Sequence, residues 1–187
     1  MSYETISIEG AGCLSLSAEA SGDVGAMPVL LAHGGGQTRR AWKNVIGDLA
    51  EAGFRAIAID MRGHGDSDWA KEGYAVWSFA SDVYELAQKL NLAPFDAIGH
   101  SLGGRNLIPF AGDHSNMISH LILTDIGPEL PREGARNNNQ RMSVRPNFFR
   151  GWDDVEAYYR EINPKWLVEP PGKDHLERVM KSSLRTN

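Results

Sequence analysis

The 187 residues hold one cysteine, Cys13. That excludes an internal disulfide, and with no second cysteine and no histidines at ligand spacing a zinc site is not expected. No metal and no cofactor are therefore expected. Basic residues are outnumbered: Lys plus Arg is 19 against 24 Asp plus Glu, a net charge of -5. This argues against a nucleic-acid partner and against a polybasic membrane anchor. No apolar run is long enough to span a bilayer. The first nine residues lack the basic and apolar regions of a signal peptide, so a reducing, cytoplasmic setting is expected. Internal repeats and low-complexity tracts are also missing. What is present, 42% hydrophobic and 23% charged residues, suits one globular domain or one domain with a small appendage.

Hydrophobic patterning predicts a strand hairpin first, Thr5 to Glu9 and Cys13 to Ala18. Ile6 and Ile8, then Leu14 and Leu16, alternate with polar residues on either side of a turn at Gly10-Ala11-Gly12. Residues 21–25 read as a loop. Four short apolar runs follow: Val29–Ala32, Ala56–Ile59, Phe95–Ile98 and Leu121–Thr124. The first, Val29–Ala32, fits a strand covered on both faces. Helical patterns separate them. Trp42, Val45, Ile46, Leu49 and Ala50 share one face, and Gly53 stands where that helix should stop. Phe79, Val83, Leu86, Ala87 and Leu90 share another, with Ser78 as candidate N-cap. A helix should open at Leu102, and Pro109 should kink or end it. The alternation predicts an α/β fold with a mostly parallel sheet, an N-terminal antiparallel hairpin and helices on both faces. Ligands of such sheets bind beyond the carboxyl ends of the strands.

Two of those strand ends carry chemistry. Gly99-His100-Ser101-Leu102-Gly103 follows the third run and opens a helix. A serine on so sharp a turn has a crowded backbone. Glycines two positions away on each side relieve the clash, so the hydroxyl can project into solvent. The Leu102 N–H is then placed to donate to an oxyanion. His33-Gly34-Gly35-Gly36 follows the first run, and its Gly35 N–H is the candidate second donor. The competing readings are an inert glycine-rich turn and, for the second loop, a phosphate cradle, although the P-loop spacing is absent.

With these motifs the chain resembles the α/β-hydrolase superfamily, in its serine-nucleophile, cap-bearing, esterase- or lipase-like branch. His33-Gly34-Gly35-Gly36, then Arg62-Gly63-His64-Gly65-Asp66-Ser67, then Gly99-His100-Ser101-Leu102-Gly103-Gly104 occur in the family order. The resemblance implies a hydrolase core over residues 1–130 and part of a helical cap over 131–187. It implies nucleophilic attack by Ser101 on an ester or related acyl bond of a small-molecule substrate, with Gly35 and Leu102 as the oxyanion hole. Gly34, His100 and Trp152 are the candidate substrate contacts. A serine at the elbow argues against epoxide hydrolase and haloalkane dehalogenase chemistry, which in this family uses an aspartate nucleophile.

The family's triad runs Ser, then Asp or Glu, then His along the chain. The last strands and the loop bearing that His have no counterpart before Asn187, so the triad is expected to be incomplete. Asp125, ending the strand after the elbow, is the candidate acid; its alternative role is to cap the turn before Gly127-Pro128. His33 and His64 read as hydrogen-bonders of their turns, and Asp60 as the anchor of the Arg62 loop. Asp66 and Ser67 should hold that loop by bonds to nearby backbone. Trp152, Tyr158, Tyr159 and Trp166 either line an acyl pocket or pack a helix core. An uncovered sheet edge predicts self-association into a homo-oligomer. The rival to a serine hydrolase is a non-catalytic ligand-binding or interaction protein on the same truncated fold.

Overall fold

A computed structural model describes residues 3–129 and 148–162 and, between them, 134, 136, 137, 140, 143, 144 and 146. Six strands form one sheet in the order β1-β2-β4-β3-β5-β6. They are β1 Glu4–Glu9, β2 Ser15–Ser21, β3 Pro28–Ala32, β4 Arg55–Ile59, β5 Phe95–His100 and β6 Ile118–Thr124. β1 and β2 are antiparallel, and β2 joins antiparallel to β4. From β4 through β3 and β5 to β6 every pairing is parallel.

The continuous apolar runs of β3 and β4 are explained by two cores, whereas β6 is buried at no position. Leu30, Ala32, Ile57 and Ile59 face one, and Val29, Leu31, Ala56 and Ala58 face the other. The first core is closed by α2 (Val76–Lys89) and α3 (Leu102–Asp113), through Phe79, Val83, Leu86, Leu107 and Phe110. The second is closed by α1 (Lys43–Glu51), whose Ile46 is fully buried. At the end of α1, Gly53 has φ +88°, and its N–H and that of Phe54 donate to Ala50 O and Leu49 O. This is the left-handed helix stop that the glycine predicts.

Three expectations need correction, and a fourth is narrowed. The second hairpin strand starts at Ser15, not Cys13, because Cys13 has φ +60° and the Gly10 N–H closes the turn on Leu14 O. Ser21, expected in a loop, extends β2 and pairs with Ala56. Ser78 is not an N-cap: Ala75 holds that position with no side-chain bond, and the Ser78 N–H already donates to Ala75 O. Of the two outcomes expected at Pro109, the helix does not end there: it runs on to Asp113, anchored by buried Leu107 and Phe110 on either side of the proline. Packing there outweighs the local cost of about 3 kcal/mol.

The chain divides into two compact units, with a boundary between Pro128 and Glu129. In the second, α4 (Trp152–Ile162) carries Val155 and Tyr159 as buried residues. Tyr158 packs tilted against Phe149 and edge-on against Tyr159, with ring centroids 5.4 and 5.6 Å away. Pro164–Gly172, Trp166, His175 and the expected helix at residues 176–184 lie outside the described residues.

Candidate functional site at the carboxyl ends of the strands

The elbow is built where β5 meets α3. Ser101 has φ +48° and ψ -110°, which places it in a strained left-handed turn. Its neighbours leave no room for side chains. A Cβ on Gly99 would come within 2.4 Å of Gly104 Cα, and one on Gly103 within 2.3 Å of Ala32 O. Gly99 lets the strand and helix close on each other, and Gly103 lets the first helical turn abut the end of β3. The Ser101 N–H donates to Thr124 O at 2.9 Å. The Ser101 side chain is half-buried, and its Oγ hydrogen-bonds no other described residue. Leu102 stands at the first helical position, where a backbone N–H has no acceptor within the helix.

The loop after β3 lies alongside. His100, next to the serine, packs its ring on Gly34, where an added Cβ would sit 2.8 Å from His100 Cδ2. The two candidate substrate contacts His100 and Gly34 are therefore brought together. His100 Nδ1 also lies 3.4 Å from Thr124 Oγ1. Gly34 is held by the Gln37 side chain, whose Oε1 accepts the Gly34 N–H at 2.9 Å. Gly35 is exposed.

His33 is fully buried between this loop and the one after β4. The Met61 N–H donates to its Nε2 at 3.1 Å, and its Nδ1 lies 2.8 Å from Gly34 O. Burial pushes the imidazole down to about 3; the Gly34 contact opposes the shift, and the fields of His64 and His100 add to it. His64 lies 5.0 Å from His33, ring to ring. Its Nε2 accepts the Gly36 N–H at 3.4 Å, and its Nδ1 lies 3.1 Å from Arg62 O.

Charged clamps support the loops from below. Asp60, 1% exposed, accepts from the Arg39 backbone N–H, the Arg39 guanidinium and the Asp66 N–H. Burial works against the Arg39 charge, but Asp60 and Asp66 outweigh it and hold its pKa above the ordinary range. Asp66 receives Arg39 Nη2 at 2.8 Å, so its carboxylate joins a cross-loop ion pair. Ser67 Oγ donates to Asp60 O, as a local loop bond should. Arg62 makes a two-pronged pair with Asp82 of α2, at 2.6 and 2.7 Å.

Asp82, Arg39 and Gln37 were missed as site residues. A weak signal existed for Asp82: it falls within the apolar stripe of its helix, where a charge must be paired. Nothing local marks Arg39 or Gln37, because their partners lie across the fold or in a turn.

Asp125 directly follows β6, with φ +56°, and is exposed. It makes no hydrogen bond to another described residue, so it does not cap the Gly127-Pro128 turn. His100 and Thr124 are register partners in adjacent parallel strands. Ser101 and Asp125 therefore leave neighbouring strand ends side by side. Trp152 belongs to the second unit and is 48% exposed. Among the described residues no three His, Cys, Asp or Glu side chains group as a metal site would. No described helix is long and apolar enough to cross a membrane.

A parallel sheet entered by an antiparallel hairpin, with a strained serine between strand and helix, defines an α/β-hydrolase-type protein. The family model for the alpha/beta hydrolase fold matches residues 27–160, and the chain belongs to that family. It is 38% identical over 107 residues to a soluble epoxide hydrolase of Corynebacterium sp. (strain C12), covering 57% of this chain and 37% of that protein. It is 35% identical over 160 residues to a non-heme chloroperoxidase of Kitasatospora aureofaciens, covering 79% and 58%. A crystal structure of an alpha/beta hydrolase from Novosphingobium aromaticivorans superposes with TM-score 0.82 at 28% identity, over 96% of this chain and 63% of that one. The chain thus spans 37 to 58% of the length of these two curated relatives.

Proposed function

We propose that this chain carries the nucleophile and oxyanion hole of a serine hydrolase acting on an ester or related acyl bond of a small molecule. The supporting observation is Ser101 itself: a left-handed residue between β5 and α3, flanked by glycines that admit no side chain. Its Oγ attacks the acyl carbon while a base takes the proton. Negative charge on the former carbonyl oxygen is held by the N–H groups of Gly35 and Leu102. The C–O bond to the leaving group breaks, and water then releases the acyl group from Ser101. Asp125 is the proposed acid, Gly34, His100 and Trp152 the proposed substrate contacts, and residues 131–187 a partial lid.

The serine separates this reading from epoxide opening, for which the family uses an aspartate at the elbow. None of the described histidines is oriented on Ser101 as a base. His33 and His64 hold loop backbone, His100 faces Thr124, His114 stacks on Tyr84 at 4.7 Å, and His120 pairs with Asp96 at 2.8 Å. That observation favours a second reading, a non-catalytic ligand-binding protein. A fluorophosphonate probe separates the two. Hydrolase chemistry predicts covalent labelling of Ser101, seen by intact mass and abolished in Ser101→Ala. An unlabelled wild-type chain would support the second.

A further inference from the structure

We infer that His33 is a positioning residue that sets the direction of the Gly35 N–H. The inference rests on the reading of that N–H as an oxyanion donor. Gly34 and Gly35 share one trans peptide group. Because that group is planar, the Gly34 carbonyl and the Gly35 N–H point in opposite directions, and fixing one fixes the other.

His33 fixes the carbonyl. The Met61 N–H donates to His33 Nε2, so Nε2 carries no proton. The single proton of the neutral ring is then on Nδ1, which donates to Gly34 O at 2.8 Å. The Gln37 N–H donates to the same oxygen at 3.1 Å. On the far side of Gly35, the Gly36 N–H is taken by His64 Nε2. The loop is tied on both sides of Gly35, whose own N–H has no acceptor among the described residues. A donor held in place before the reaction costs no reorganisation when charge develops, which is what an oxyanion hole requires.

Two substitutions split the two bonds of the ring. The Asn amide nitrogen can overlay Nδ1, so His33→Asn keeps the donor to Gly34 O and loses the acceptor for Met61. The Gln amide oxygen can overlay Nε2, so His33→Gln keeps the acceptor and loses the donor. Fluorophosphonate labelling of Ser101 in the full chain should stay within about tenfold of wild type in His33→Asn. It should fall about 10²-fold in His33→Gln, the loss expected when one oxyanion donor is misaligned. Denaturant unfolding is measured on both variants, and a merely structural histidine would make labelling follow stability. A folded His33→Gln chain that labels at the wild-type rate overturns the inference, as does an Asn variant as slow as Gln. If the wild-type chain does not label, the hydrolase reading fails by itself. The inference is then decided by the Gly35 amide cross-peak in a ¹H–¹⁵N spectrum. Movement in Gln but not in Asn supports it, and no movement in Gln overturns it.

Discussion

At the scale of single residues, burial decides what each histidine can do. An unfolded His33 takes its proton near pH 6.5 and the folded one near 3. Between those values the unfolded chain holds more protons, so stability is complete above about 6.5 and is lost as pH falls toward 3. The expected slope from this residue is about 1.4 kcal/mol per pH unit. Urea unfolding of wild type and His33→Gln at pH 7, 6 and 5 measures it. The wild-type chain should lose stability more steeply, and parallel slopes would show that His33 is not the buried neutral group described here. The same ring is not available as a base for Ser101, because both of its nitrogens are already committed to backbone.

At the scale of elements, the elbow works because α3 touches the end of β3. Gly103→Ala would drive a methyl group to 2.3 Å from Ala32 O and 2.8 Å from His33 O. Backbone on both sides cannot yield as a side chain would. A loss on the order of 3 kcal/mol is expected in denaturant unfolding. Gly112→Ala in the same helix meets nothing within 4 Å and serves as the comparison. It should leave stability unchanged or raise it by up to about 1 kcal/mol. A Gly103→Ala chain as stable as the Gly112→Ala chain would show that the approach of α3 to β3 does not require the glycine. The Pro109 result belongs at this scale too. A proline cost that would end an exposed helix is outweighed where the turns on either side are buried.

At the scale of the whole molecule, β6 is paired on one side by β5 and by no described strand on the other. Ile122 on that strand is 50% exposed. An open strand edge beside an exposed apolar residue is a template for a second chain. We propose that the chain self-associates through this edge. Light scattering over a concentration series should show mass rising above 20.6 kDa, and Ile122→Lys should lower it at each concentration. A monodisperse wild-type monomer would dismiss the idea.

Much of the architecture was legible from periodicity alone, because a strand buried on both faces must be apolar throughout and a helix on one face must repeat at 3.6 residues. The turn around Ser101 was legible for a similar reason: the glycines report a local steric demand, and local demands are written in adjacent residues. The pairing of Arg62 with Asp82, the hold of Asp60 on Arg39 and the bond of Met61 to His33 were not. Each joins groups 20 or more positions apart, and which groups meet depends on strand order and on where α2 packs. The order β2-β4-β3-β5-β6, in which chain neighbours are not always sheet neighbours, exists only once the chain is folded. Sequence therefore determined the elements and the strained bend, through local sterics and hydrophobic period. Tertiary structure decided which polar groups share the space beneath that bend, because long-range contacts form only when the sheet closes its two cores.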